Sequence, residues 1–505
     1  MTSPRDLSTL NSWHADWAGL RVGVLGLGVT GFSVADTLAE LGAKVMVVAS
    51  GADELRITMV DVIGATYVQE RSGEDIPHEL VEFDPELIVV SPGYHPDHKI
   101  LMWAEARNIP IWGDIELAWR VRDKVKAAEW LAVTGTNGKT TTVQLTAAML
   151  ATAGYRVAPC GNIGVPVLDA VRDPQGFDVF VVELSSYQLH WMVGVHPYSS
   201  AVLNIADDHL DWHGSFESYV AAKAKIYENT QVACVYNKAD KVTERMVENA
   251  DVMEGARAIG FDLGAPGKSD LGVVDGILCD RAFLDDRHST ALEITTIRDL
   301  EERGLAAPHI VANILAASAL ARSFGAPTEA IYEALKTFSL DSHRNEVVAS
   351  VGEITWIDDS KATNPHAADA SLTANESIVW IVGGLLKGVN IDELVSRHAH
   401  RLRGAVIIGV DREPVKAAFE RHAPGVTALE VEADDTSDVM VHAVNLAADL
   451  AHSGDVVLLA PAAASMDQFT DYADRGRRFQ AAVRALGGDA LSGGDAGDDD
   501  TAAGG

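Results

Sequence analysis

The stretch WLAVTGTNGKTT, Trp130 to Thr141, decides how the rest of the chain is read. WLAVTG, Trp130 to Gly135, is an apolar run of the length of a buried strand, and a helical pattern follows the loop as far as Leu150. Strand, small-residue loop and helix in this order form a phosphate loop. Consecutive N–H groups of Gly135, Thr136, Asn137 and Gly138 can cradle phosphates, Lys139 can neutralise the charge developing on them, and Thr140, followed by Thr141, can ligate Mg²⁺. The strict GxxxxGK[ST] pattern needs glycine at position 133, where this chain has Val133, so the structural context carries the reading.

Toward the N-terminus, Leu20 to Leu27 reads as a strand, Gly28 to Gly31 as a turn, Phe32 to Leu41 as a helix and AKVMVVAS as a second strand, a βαβ opening. Its turn, Gly26 to Gly31, matches GxGxxG, which brings backbone N–H groups up to a diphosphate at a helix N-terminus. A nicotinamide dinucleotide would call for an acid at the end of the second strand, but that strand ends Val48-Ala49-Ser50. The expected ligand is another diphosphate. The alternatives are a glycine turn that only lets helix pack on sheet, and a nicotinamide-dependent oxidoreductase. A third strand, Leu87 to Gly93, ends in Ser91-Pro92-Gly93, a chain-reversal signal.

The charged segment around Val121 to Ala128 marks a boundary, as does Ser339, beyond which apolar strands alternate with helical segments. With 505 residues, at about 150 per domain, the expected organisation is α/β with three domains, each on a mainly parallel sheet. These are a Rossmann-like domain (1–122), a P-loop NTPase-like central domain (123–339) and a Rossmann-like C-terminal domain (340–486). A hairpin at Asp275-Gly276 is expected in the central domain, and an acidic disordered tail over 487–505. The 40 basic against 73 acidic residues, a formal charge of −33, argue against a nucleic-acid partner. Three cysteines without CxxC spacing, no basic-apolar leader and no long apolar run fit a cytoplasmic protein without a membrane span. No exposed heptad or long apolar strand calls for obligate assembly, so a monomer is expected.

Glu183 ends the strand VFVVE, where a carboxylate at the C-terminal edge of a sheet can hold a metal or simply be solvated. Asp207-Asp208-His209-Leu210-Asp211-Trp212-His213 packs five potential metal ligands into seven residues; a di-metal hydrolase would leave the phosphate loop unexplained, and a polar loop with structural histidines is the alternative, weaker for His209 than for His213. Lys223 and Lys225 would ordinarily be a solvated helix face.

GLGVTG, TGTNGKTT, ELSSYQL and NIADDHLDWHG, in this order and spacing, resemble the Mur ligases, the ATP-dependent amide-forming enzymes of peptidoglycan precursor synthesis. DDSKATN (Asp358 to Asn364) and ASMDQF (Ala464 to Phe469) resemble the branch that adds D-glutamate to a UDP-linked muramoyl-alanine. The resemblance spans roughly residues 18 to 485. It implies a UDP-substrate site at Val29, Thr30, Gly31, Ser91, Pro92 and Gly93, continued by Asn162 and Ser185. It implies ATP binding by Gly135 to Thr141, with Asn313 toward adenine, Asp359 toward ribose and Arg344 on the terminal phosphates. Two Mg²⁺ are implied, with Thr140, Glu183 and His209 as ligands and Lys223 as a carbamate. Lys139, His209, Lys223 and Arg344 form the implied catalytic set, and Lys361, Thr363, Lys387, Ser465 and Tyr472 the implied D-glutamate pocket. The uridine contacts transfer least directly, because Ala49 stands where relatives often carry an acid.

Overall fold

Unbroken apolar runs become central strands: Val179–Glu183 and Ile378–Gly383 are buried at every residue, as parallel strands covered on both faces must be. The computed structural model describes residues 5–52, 54–71, 76–432 and 438–492. It forms two units, one of Met1–Ile205 with Phe216–Ser339, the other of Ala206–Ser215 with Leu340–Gly505.

The first unit holds two sheets. In the first, β1 (Arg21–Leu25), β2 (Lys44–Ala49), β3 (Thr66–Gln69), β4 (Leu87–Val90) and β5 (Ile111–Gly113) run parallel in the order β3-β2-β1-β4-β5. The order reverses between β1 and β4, so the glycine loop after β1 opens at a topological switch point. The helix after it spans Val29–Glu40 and starts three residues earlier than the sequence suggests, with Gly28 as its N-cap. Gly31 therefore lies in its first turn, where a Cβ would come within 2.1 Å of the Gly26 carbonyl oxygen.

The second sheet has the order β14-β13-β12-β11-β10-β9-β6-β8-β7. Its strands are β6 (Glu129–Thr134), β7 (Val157–Gly161), β8 (Val179–Glu183), β9 (Ser199–Val202), β10 (Ala233–Asn237), β11 (Arg257–Phe261), β12 (Asp270–Val274), β13 (Ile277–Asp280) and β14 (Leu292–Thr296). The strands β6 to β12 pair parallel, and β12, β13 and β14 pair antiparallel. Asp275 and Gly276, both with positive φ, make the expected two-residue hairpin turn between β12 and β13.

One apolar core, including Trp17, Trp112 and Trp130, runs through both sheets of this unit. Polar staples join them: buried Glu116 accepts from the N–H groups of Val193 (3.1 Å) and Gly194 (2.8 Å) and from Arg120 Nε (2.8 Å), and Gln188 Nε2 donates to Asp114 (2.9 Å).

The second unit carries β15 (Glu346–Val351), β16 (Ile354–Asp358), β17 (Ile378–Gly383), β18 (Leu402–Ile408), β19 (Thr427–Glu430) and β20 (Val456–Leu459), ordered β15-β16-β20-β17-β18-β19. All pairs are parallel except β15 with β16. Sequence reasoning misses β15, a half-exposed edge strand joined to β16 by a tight turn through Gly352 and Glu353, both at positive φ. The last helix, Tyr472–Ser492, passes beyond Gly487; the rest of the expected tail, 493–505, lies outside the described residues. Among the described residues, no helix is long and apolar enough to cross a membrane.

Asp114 has a pH consequence. Burial pushes its carboxyl up to about 6, against the pull of the Gln188 hydrogen bond. The folded state thus holds this proton more tightly than the unfolded chain, so stability falls as pH rises from about 4 through 6. A shift of about 2 units corresponds to roughly 3 kcal/mol. Asp114→Asn is expected to melt above the parent protein at pH 8 and together with it near pH 4; parallel melting curves at every pH would contradict this.

Candidate active site

Between the end of β6 and the helix Lys139–Thr152 lies the phosphate loop, with Gly138 as N-cap. Gly138 has φ +83°, and a Cβ there would meet Asn313 Oδ1 at 2.4 Å. Other elements fix the loop. Asn204, just after β9, accepts from the Asn137 N–H (2.8 Å) and donates to the Asn137 carbonyl (3.1 Å). Lys223, on the helix Phe216–Ala224 and only 2% exposed, donates to Thr134 Oγ1 (3.1 Å) and the Gly135 carbonyl (3.0 Å). One turn earlier, Tyr219 shares a hydrogen bond with Thr136 Oγ1 (3.0 Å). Lys139 Nζ donates to the carbonyls of Gly135 (2.9 Å) and Thr136 (2.8 Å), and Thr140 and Thr141 are buried in the first helical turn.

Glu183, level with Val133 on the neighbouring strand, is buried. Its Oε1 accepts from Asn162 Nδ2 (2.9 Å), while Oε2 is buried with no hydrogen-bond partner. A lone carboxylate oxygen of this kind is costly unless a cation balances it, and a carboxylate is a hard oxygen donor of the kind Mg²⁺ takes. Ser185 caps the short helix Ser186–His190 in a capping box with Gln188. Asn313 is buried on the helix Pro308–Ser323, against Gly138.

At the C-terminal edge of the first sheet, Val29, Thr30, Gly31, Ser91, Pro92 and Gly93 line one cavity of about 460 Å³, together with Tyr94 and His98. Ser91 Oγ is buried there without a partner. The structure also shows an acid that inspection of β2 missed. Glu70 follows β3, its N–H donates to the Ala49 carbonyl (2.9 Å), and its carboxylate is buried 3.2 Å from His98 Nε2 and 3.6 Å from Lys99 Nζ. Tyr94 stands edge-on to His98, and burial, reinforced by Glu70, pushes its hydroxyl up to about 12.

In the second unit, the loops after β16, β17 and β20 are tied together. The Ala462 N–H donates to the Ala362 carbonyl (3.0 Å), and Leu385 bridges Ala464. These loops carry Lys361, Thr363, Lys387 and Ser465, and Tyr472 opens the final helix. Lys361 Nζ lies 3.7 Å from the centre of the Tyr472 ring. Lys387 Nζ is 3.5 Å from Asp208, whose other oxygen is 3.5 Å from His209 Nε2. Buried Arg475 crosslinks the loops through Ser360 and the Ala463 carbonyl, and burial pulls its guanidinium down to about 9. Asp359 has both oxygens engaged, by the Asn345 N–H (3.2 Å) and the Ser371 hydroxyl. His343, Glu346 and Asp358 cluster beside Arg344, with Gln480 Nε2 donating to Asp358 (2.9 Å) and Glu346 (3.1 Å).

Gly138→Ala would need a strained backbone and would overlap Asn313. Its affinity for magnesium ATP is expected to fall at least about tenfold, as loss of a charge-assisted phosphate contact implies; unchanged affinity by calorimetry would contradict the assigned loop.

Comparison with known proteins bears on all three sheets. The chain matches family models described as the Mur ligase MurD-like N-terminal domain over residues 20–113, the Mur ligase middle domain over 133–321 and the Mur ligase glutamate ligase domain over 343–463. A UDP-N-acetylmuramoylalanine--D-glutamate ligase of Leifsonia xyli is 65% identical, covering 97% of this chain and 98% of its own. The protein of the same name from Streptomyces coelicolor is 52% identical, covering 94% and 99%. A solved UDP-N-acetylmuramate-alanine ligase of Thermotoga maritima shares the fold at TM-score 0.54 and 21% identity, covering 92% of this chain and 100% of its own. With identity sustained over nearly the whole length, the chain belongs to the Mur ligase family.

Proposed function

We propose that the chain joins D-glutamate to UDP-N-acetylmuramoyl-L-alanine with cleavage of ATP, in peptidoglycan precursor synthesis, and that it acts as a cytoplasmic monomer. The supporting observation is that two lysines, Lys361 and Lys387, stand on loops tied together at the C-terminal edge of the third sheet, where the two carboxylates of a dicarboxylate amino acid can each meet a cation, Lys387 exchanging its contact with Asp208 for the substrate. The near-full-length relatives carry the name of that activity.

The γ-phosphoryl group of ATP passes to the carboxylate of the substrate alanine; the bond to the β-bridging oxygen breaks, and ADP departs. The amine of D-glutamate then attacks the acyl carbon. The tetrahedral adduct loses its amine proton and expels phosphate, leaving the amide. Phosphoryl transfer is accelerated mainly by positioning and charge, so the protein needs no nucleophile of its own. The Gly138 N–H, at the helix start, and the Lys139 ammonium bind the phosphates, the Thr136 and Asn137 N–H groups being taken up by Asn204, and Arg344 balances charge on the transferring group. Asn313 and Asp359 serve the nucleoside. Magnesium, when bound, adds positive charge against the phosphoryl oxygens; Thr140 and Glu183 would hold one ion and His209 a second. Lys223, as a carbamate, would place an anion where ions are to be oriented, whereas its ammonium would repel them.

The UDP moiety occupies the cavity after β1 and β4, with its diphosphate on the N–H groups of Val29 to Gly31. Glu70, holding His98 and Lys99, supplies the acid at the uridine end. Asn162 and Ser185 lie along the muramoyl-alanine. Thr363, Ser465 and Tyr472 complete the amino-acid pocket around the two lysines. An amino acid lacking the second carboxylate would forgo one of these two charge contacts.

Phosphate release from ATP in the presence of UDP-N-acetylmuramoyl-L-alanine tests the reading directly. It is expected with D-glutamate and not with L-alanine or a diamino acid; the reverse preference would contradict it. Lys223→Ala should lose most activity and regain part of it with added short-chain carboxylates, while Lys225→Ala, whose ammonium donates to the His190 carbonyl (2.7 Å), should retain activity. The opposite ranking would remove Lys223 from its role.

A further inference from the structure

Arg344 sits between two residues in a backbone conformation that non-glycine residues rarely take. His343 has φ +67° and Asn345 φ +47°. Such residues persist only where the surroundings over-determine them, and they concentrate at working sites.

The restraints here come from two consecutive carboxylates at the end of β16. Asp358 is fully buried; its Oδ2 lies 2.6 Å from His343 Nδ1, and its Oδ1 accepts from the Ser360 N–H (3.0 Å). Asp359, also buried, accepts the Asn345 N–H on Oδ1 (3.2 Å) and the Ser371 hydroxyl on Oδ2. The turn is closed from its other sides. The His343 N–H donates to Glu346 (3.0 Å), its carbonyl accepts from the Lys361 N–H (3.2 Å), and Gln480 Nε2 bonds both Glu346 and Asp358. The Gln480 amide nitrogen lies within 3.4 Å of one polar atom on each of His343, Glu346 and Asp358, so the amide takes the central place that a metal ligated by these three side chains would need.

We propose that Asp358 and Asp359 form a clamp that presents Arg344. One carboxylate holds the ring of the residue before it, the other holds the backbone of the residue after it, and the arginine between them is thereby held in one place for the phosphate role proposed above. His343, Asn345, Asp358 and Asp359 are on this account positioning residues, and Asp359 acts on the phosphates through Asn345 as well as serving the ribose. The inference rests on the reading of Arg344 given above.

The test uses the full-length protein with Asn345→Gly, Asn345→Val, Arg344→Ala and the double variant Arg344→Ala/Asn345→Val. Glycine adopts positive φ freely and valine resists it. Asn345→Gly is expected to keep kcat within about twofold. Asn345→Val should lose about thirtyfold or more in kcat, as when a main charge stabiliser is displaced, with the KM values for the UDP substrate and D-glutamate unchanged. The double variant should be no slower than Arg344→Ala alone, because the valine acts only through the arginine. Losses that multiply in the double variant would show that the turn serves folding alone and would overturn the clamp. Full activity of Asn345→Val beside an inactive Arg344→Ala would overturn the clamp and leave the role of Arg344 standing. Full activity of Arg344→Ala would remove that role and the clamp with it. If Asn345→Val does not fold, Asn345→Ala, biased the same way, carries the same comparison.

Discussion

A buried ammonium organises the loop that follows β6. Lys223 lies almost wholly out of water and hydrogen-bonds the last residue of β6 and the first residue of the phosphate loop. Desolvating a cation costs several kcal/mol unless hydrogen bonds offset it, and here those bonds fall on Thr134 and Gly135. The loop's shape is therefore coupled to the state of one nitrogen. Converting that nitrogen to a carbamate would exchange a donor that grips the loop for an anion that attracts metal, while the bond from Asn204 to Asn137 and that from Tyr219 to Thr136 would still support the backbone.

The same geometric logic recurs on each sheet. Parallel strands leave their C-terminal ends as a row of loops, and side chains that meet a ligand gather there. In the first sheet this edge holds the glycine loop and Ser91-Pro92-Gly93, in the second the phosphate loop and Glu183, and in the third the loops bearing Lys361, Lys387 and Ser465. What differs is how the loops are held. The phosphate loop relies on polar side chains from neighbouring helices and strands, whereas the third sheet uses one fully buried arginine, Arg475, bonded to neutral oxygens of two loops. The cost of burying that charge appears as its lowered proton affinity.

Most of this architecture is legible in the sequence because doubly covered parallel strands announce themselves as apolar runs, and Asp275-Gly276 announces a tight hairpin. The edge strand Glu346–Val351 escapes notice because half-exposed residues and a Gly-Glu turn carry no such signature. Site residues divide along the same line. Lys139, Thr140 and Glu183 sit at recognisable points of strand and loop. Asn204, Glu70 and Arg475 act on residues far away in sequence, Arg475 on Ser360 across 115 positions, and no local pattern encodes such a pairing. Glu70 is instructive: no acid follows β2 in sequence, yet one stands beside its end in space, after β3, on a chain that crosses over and returns.

The central claim is that a carboxylate oxygen of the substrate attacks the γ-phosphorus of ATP before the amide forms. UDP-N-acetylmuramoyl-L-alanine labelled with ¹⁸O in its alanine carboxylate, turned over with ATP and D-glutamate, reads this out in the mass of the released phosphate. The account predicts one labelled oxygen per phosphate, carried from the bridging position of the acyl phosphate. Phosphate released at the full rate of amide formation without the label would contradict it.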